Sequence, residues 1–142
     1  MLTKLSPDKL SEAWPVVYRA IKTSSIALAE MTEDRVNNVV RSLLSGNATC
    51  WVHEKGNTIT TVVITTITEE AISKTLNLLI YCAHMFAKVS SDEYLKMAES
   101  LRDYARGMNC ARVILYSSND KLTNILKSNG ALDIYSLIVF PV

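Results

Sequence analysis

Every residue from Thr58 to Thr68 is β-branched, a mixture of Thr, Val and Ile with no exception. A branched Cβ restricts χ1 and disfavours helix, whereas a pleated sheet accepts such side chains on both faces. The segment therefore predicts a long strand. Thr49 to His53 precedes it across Lys55-Gly56-Asn57, a turn signal, so the two segments predict a hairpin. After a second turn around Glu69 to Ser73 comes Leu76 to Ala83, apolar on both faces as a central strand is. The expected unit is a three-stranded antiparallel meander.

Helices flank it. Ser6-Pro7-Asp8 combines an N-cap, a proline at the first helical position and an acid in the first turn, followed by Leu10, Ala13, Trp14, Val17 and Ile21 at helical spacing. Pro15 predicts a kink or a break within this helix. Thr32 caps a second helix with an apolar stripe of Val36, Val39, Val40, Leu43 and Leu44 that stops at Gly46. Ser90, with Glu93 three residues on, opens a third, whose stripe runs from Tyr94 through Met97 and Leu101 to Met108. Arg112 to Tyr116 is a short buried strand, Asn119 caps a fourth helix that ends at Asn129-Gly130, and Tyr135 to Phe140 is a final strand. The helix between Leu76–Ala83 and Arg112–Tyr116 makes those strands parallel neighbours that diverge toward their C-terminal ends. Val36, Val40, Leu43, Met97, Leu101, Leu115 and Ile125 are the expected core.

At 142 residues, residues 1–142 are expected to form one domain, and 49% apolar content allows a real core without staples. A net charge of +1 supplies no field for nucleic acid or anionic lipid. Leu76 to Phe86, the most hydrophobic stretch, is too short for a membrane span, so a soluble protein of cytosolic origin is expected, with no membrane partner. Cys50, Cys82 and Cys110 fit reduced core thiols better than a disulfide framework. His53 pairs with no obvious third ligand, so no metal site is expected, and Glu69-Glu70 is a solvated turn.

The order α-α-β-β-β-α-β-α-β, together with Asn119, Leu122, Ile125-Leu126 and Gly130-Ala131, resembles the GNAT (GCN5-related N-acetyltransferase) superfamily, as do Leu101 to Arg106 and Cys110 to Leu115. The resemblance implies an α/β, GNAT-like mixed sheet whose first family strand is short or missing. A closer similarity is to small GNAT-like proteins encoded among tailed-phage structural genes, some resembling internal virion proteins. It is carried by Leu44 to Val52, Ile64 to Ile67, Lys74 to Ile80 and Leu126 to Ala131. That similarity implies a virion or host-cytoplasm location and partners among virion proteins, with a symmetric oligomer as one form.

Family enzymes hold the coenzyme pyrophosphate on a loop of the form Gln/Arg-x-x-Gly-x-Gly/Ala, where bare backbone N–H groups meet the phosphates. Here that loop aligns with Val89, Ser90, Ser91, Asp92, Glu93 and Tyr94, so Asp92 and Tyr94 replace both glycines, and two carboxylates face an incoming anion. The tyrosine that protonates the departing thiolate in many members is Leu126. A substitute proton carrier would come from His84, Tyr116, Ser117 or Ser118, with His84 best placed by its reference pKa. Tyr116 also suits a core or groove-lining role. The expectation is a catalytically degenerate GNAT-like subunit of a phage particle that needs no cofactor and makes contacts through Val139, Phe140 and Val142. The alternative is a divergent acyl-CoA-dependent N-acyltransferase that takes acetyl-CoA, with Asn119 and the Ser90–Tyr94 loop at the coenzyme. A free-standing regulator of a host enzyme is a third function compatible with the fold.

Overall fold

The computed structural model describes residues 1–24, 30–116, 120–132 and 138–142. Its elements run β1 (Thr3–Lys4), α1 (Pro7–Thr23), α2 (Glu33–Ser45), β2 (Ala48–Lys55), β3 (Thr58–Glu69), β4 (Leu76–Met85), α3 (Ser91–Gly107), β5 (Arg112–Leu115) and α4 (Asp120–Lys127). The five strands form one sheet in sequence order. β1 to β4 are antiparallel, and β5 joins β4 in parallel. The expected short first strand is thus present, as two residues against Val52 and Trp51.

Local chemistry sets the element ends. Ser6, Thr32 and Ser90 are extended N-caps whose hydroxyls accept from the backbone N–H groups of Lys9, Arg35 and Glu93. Gly46 ends α2 at φ 84°, a left-handed conformation that glycine reaches without Cβ strain. The expected break at Pro15 does not occur, because α1 runs unbroken from Pro7 to Thr23. Tertiary packing of Leu10, Val17, Ala20 and Ile21 holds both halves of the helix on the sheet despite the missing N–H donor.

The sheet separates two cores. On one face α1 and α2 pack Val17, Ile21, Val36 and Leu43 against Cys50, Val52, Val62, Ile64 and Cys82. On the other, α3 packs Met97, Leu101 and Ala105 against Trp51, Val63 and Leu78. Four expected core residues, Val36, Leu43, Met97 and Leu101, are buried, but Val40, Leu115 and Ile125 are only half-buried. Val40 lies at the margin of its stripe, and Leu44 is 60% exposed because the apolar face of α2 is narrower than its sequence suggests. Among the described residues β5 is paired on one side only, by β4, and Leu115 there is half-buried. Of the expected final strand, residues 133–137 lie outside the described residues. Ile138 to Phe140 form no strand and are exposed.

Candidate functional site

β4 changes its facing midway. Ile64 and Thr65, adjacent on β3, pair with Cys82 and Ile80, so Tyr81 is an extra residue opposite no partner. Such a bulge lets two consecutive side chains take the same face, and Tyr81 and Cys82 both pack on the α1/α2 side. The parity on the α3 side shifts accordingly, from Leu78 and Ile80 before the bulge to Ala83 and Met85 after it. The same point marks the end of β5 pairing. β4 and β5 pair from Asn77 with Arg112 to Ile80 with Leu115, whereas β4 stays with β3 as far as Met85 opposite Thr61. From Tyr81 onward the β5 side of β4 has no strand partner among the described residues. The parallel pair expected from the helical crossover is therefore present, paired as far as Ile80 and Leu115.

Ser24, just past α1, meets this freed segment. Its Oγ lies 3.4 Å from both the backbone N and the backbone O of Ala83, long contacts that a better partner could replace. His84, the favoured proton carrier, is half-buried on the α1 face, its ring 4.6 Å from that of Phe86 in an edge-on arrangement. Burial first, and then the charge of Arg19, lower its pKa below the ordinary histidine value, so the imidazole is neutral at physiological pH. Arg19 itself stacks 5.2 Å from the Phe86 ring. Tyr116 follows β5 and is 41% exposed, so it is not the core aromatic that one expectation made it. Ser117, Ser118 and Asn119 lie outside the described residues.

The start of α3 uses its acids unequally. The carboxylate of Glu93 is 2.8 Å from Lys55 Nζ and 3.9 Å from His53 Nε2, at the far end of the β2–β3 hairpin. The hydrogen bond from Lys55 is the main cause that keeps the Glu93 pKa below the usual value. Only Asp92 of the pair is left exposed without an ion-pair partner among the described residues. Val89, at the position of the family's Gln or Arg, is buried beneath α3, and Tyr94 packs against the same core.

A groove of about 420 Å³ runs between α2 and the sheet on the opposite side from α3. Arg35, Asn38 and Met31 line one wall, and Ile64, Thr66 and Tyr81 the other. Among the described residues Arg35 is the one charged residue in its lining. The Tyr81 hydroxyl has only the Met31 sulfur, 4.0 Å away, as a partner among the described residues, and burial raises its pKa. Neither this groove nor the bulge beside it is legible in the sequence. The only signal that could have flagged Arg35 is its position on the polar flank of the second helix.

Burial pushes the Cys50 thiol up to about 12 and the Cys82 thiol up to about 11, so neither is a nucleophile at neutral pH. Among the described residues no cluster of three His, Cys, Asp or Glu side chains could hold a metal, and no helix is long and apolar enough to cross a membrane.

No protein-family model matches the chain, and no curated protein matches it in sequence. Solved structures do match in shape. A predicted acetyltransferase from Clostridium acetobutylicum, solved with acetyl-CoA, superposes with a TM-score of 0.74 at 14% identity, covering 99% of this chain and 95% of that one. A GNAT family acetyltransferase from Staphylococcus aureus gives 0.67 at 10% identity over 100% and 98%. Ribosomal-protein-alanine N-acetyltransferase from Brucella melitensis biovar Abortus 2308 gives 0.69 at 12% identity over 100% and 99%. The fold is GNAT-like. No comparison links the chain to phage particle proteins.

Proposed function

We propose that the protein is an acyl-CoA-dependent N-acyltransferase of the GNAT type, transferring an acyl group to an amine. The observation that carries this proposal is the Tyr81 bulge falling where the pairing of β4 with β5 ends. A bulge costs a ladder interaction and is retained where a strand must re-aim its side chains or stop pairing. From Tyr81 onward the edge of β4 away from β3 has no strand partner among the described residues, the arrangement to which an extended, amide-bearing chain can add as a strand would. The edge backbone at Ala83, now weakly bonded to Ser24, and the first turn of α3 from Ser91 would hold such a coenzyme. When bound, acetyl-CoA supplies an activated thioester carbonyl.

The chain's own residues suit parts of this role. With Glu93 committed to Lys55, one of the two acids expected to repel the coenzyme phosphates is neutralised and turned toward the hairpin. The α3 N-terminus then opposes an anion with Asp92 alone. Neutral His84, on the freed segment of β4, has a lone pair with which to take a proton from the acceptor ammonium, leaving the neutral amine to attack. Leu126 offers no acid, so the leaving thiolate would take its proton from solvent or from a tyrosine such as Tyr116.

Calorimetric titration of the purified chain with acetyl-CoA tests the proposal. Saturable binding with a dissociation constant of about 100 μM or tighter is expected, together with CoA release in the presence of amines that falls about 10- to 100-fold in His84→Ala. Absence of saturable binding up to about 1 mM overturns it. A non-catalytic subunit of a larger assembly is the second function, favoured by the loss of both loop glycines and by the exposure of Leu132, Ile138, Val139 and Phe140.

A further inference from the structure

We infer that the groove between α2 and β4 is a binding site for a small molecule that carries a carboxylate and an apolar body, with Arg35 as its anion anchor. If the acyltransferase proposal holds, this molecule is the acyl acceptor, an amino acid or the C-terminal end of a short peptide.

Size comes first. A cavity of about 420 Å³ falls within the range of pockets that enclose small organic ligands. Charge comes next: among the described residues the lining contains a guanidinium and no carboxylate. Of the two acids in the first turn of α2, neither Glu33 nor Asp34 lines the groove, and Glu33 is held by the Tyr18 hydroxyl at 2.6 Å and by Lys22 at 3.6 Å. Arg35 spends one nitrogen on the Glu30 carbonyl, at 2.6 Å, and its side chain makes no other hydrogen bond among the described residues. A planar guanidinium with donors to spare matches a carboxylate in a two-pronged fashion. One positive charge balances one carboxylate, whereas a phosphate dianion would remain half unpaired.

Donor chemistry on the opposite wall agrees. The Tyr81 hydroxyl, held protonated by burial and close enough to Arg35 to feel its charge, lacks a good acceptor. Thr66 donates to the Asn47 carbonyl at 2.8 Å and is not available. Asn38 uses its carbonyl oxygen on Arg41, at 2.8 Å, which leaves its amide N–H groups as donors. Arg35, Asn38 and Tyr81 therefore offer donors, Ser42 and Asn47 add groups that can donate or accept, and the rest of the described lining is apolar apart from the committed Thr66. That combination favours a carboxylate at Arg35 attached to an aliphatic portion, with Ser42 and Asn47 able to accept from an ammonium group beside it. Because Tyr81 is the bulged residue, its side chain is in the groove while its backbone sits where β5 leaves β4. A molecule anchored at Arg35 thus lies beside the freed edge.

The test is direct binding without coenzyme, by calorimetry and by amide chemical shifts of labelled protein, using L-leucine, L-leucinamide and inorganic phosphate as probes. L-leucine is expected to bind saturably with shifts centred on residues 35–42 and 79–82. L-leucinamide, phosphate and the Arg35→Gln variant with L-leucine should each bind at least about tenfold more weakly, the loss that follows removal of a charge-assisted pair. Arg35→Lys should retain an intermediate affinity, and Arg102→Gln, on the opposite face of the sheet, the full one. The proposal is overturned if the amide or phosphate binds as well as the acid, if Arg35→Gln binds unchanged, or if L-leucine shows no saturable binding up to about 10 mM. Since no acyl donor is present, failure here leaves acyl transfer standing. Failure of acetyl-CoA binding likewise leaves the groove standing.

Discussion

Leu101→Ala and Leu44→Ala, made side by side, separate a buried helix face from an exposed one. Each leucine belongs to an apolar stripe in the sequence, yet Leu101 is 4% exposed among Met97, Ala105 and Trp51, and Leu44 is 60% exposed. Truncation at Leu101 forfeits roughly 1.5 to 3 kcal/mol of side-chain burial, and the unfilled space raises the total to about 2 to 5 kcal/mol. With a urea m-value of about 2 kcal/mol/M, the midpoint should fall by roughly 1 to 2.5 M. Leu44→Ala should move it by no more than about 0.25 M, since exposed substitutions stay within about 0.5 kcal/mol. Urea melts followed by far-UV circular dichroism read both variants on one scale. A Leu101→Ala loss below about 1 kcal/mol, or equal losses for the two variants, would refute the assignment of the α3 face.

Two threonines on β3 predict opposite signs. Thr65 accepts the buried Trp51 Nε1–H at 3.0 Å, so Thr65→Val strands a donor and should cost about 1 to 3 kcal/mol in the same melts. The Thr61 hydroxyl is buried with no partner among the described residues, so Thr61→Val should be neutral or stabilising, and a clear loss would mean an acceptor reaches it. At the α3 N-terminus, Glu93 has a depressed folded pKa, caused first by Lys55, with Ser90 and His53 adding to it. A depressed carboxyl pKa stabilises above the unfolded value and loses that contribution as pH falls through the folded one. The gap in thermal midpoint between wild type and Glu93→Gln should therefore be full at neutral pH and close as pH drops below about 4.3. A gap independent of pH would place the effect in packing.

Much of the architecture was legible because its determinants are local. Ser6, Thr32 and Ser90 each sit before a periodic apolar stripe, and a cap bonds its own helix within three residues, so no distant contact is needed to recognise it. The β-branched run from Thr58, the hairpin turn at Gly56 and the helical crossover from β4 to β5 likewise follow from short-range sterics and connection length. The site was not legible, and the reason is physical. β4 is apolar on both faces, so an inserted residue at Tyr81 leaves no break in an alternation that was never there. The sequence also placed both Asp92 and Glu93 against a ligand. Only the approach of the hairpin end to α3 showed that Glu93 already has a partner in Lys55. Arg35 and Tyr81 lie far apart in the chain and become walls of one groove only when α2 lies across the sheet. Sequence alone determined most helices and strands and their caps, since those are properties of neighbouring residues, but not the continuity of α1 through Pro15 or the lack of strand at Ile138 to Phe140. Which side chains face each other, and hence the chemistry of the groove and the freed β4 edge, was decided by tertiary packing, because that depends on register across strands and on what each helix covers.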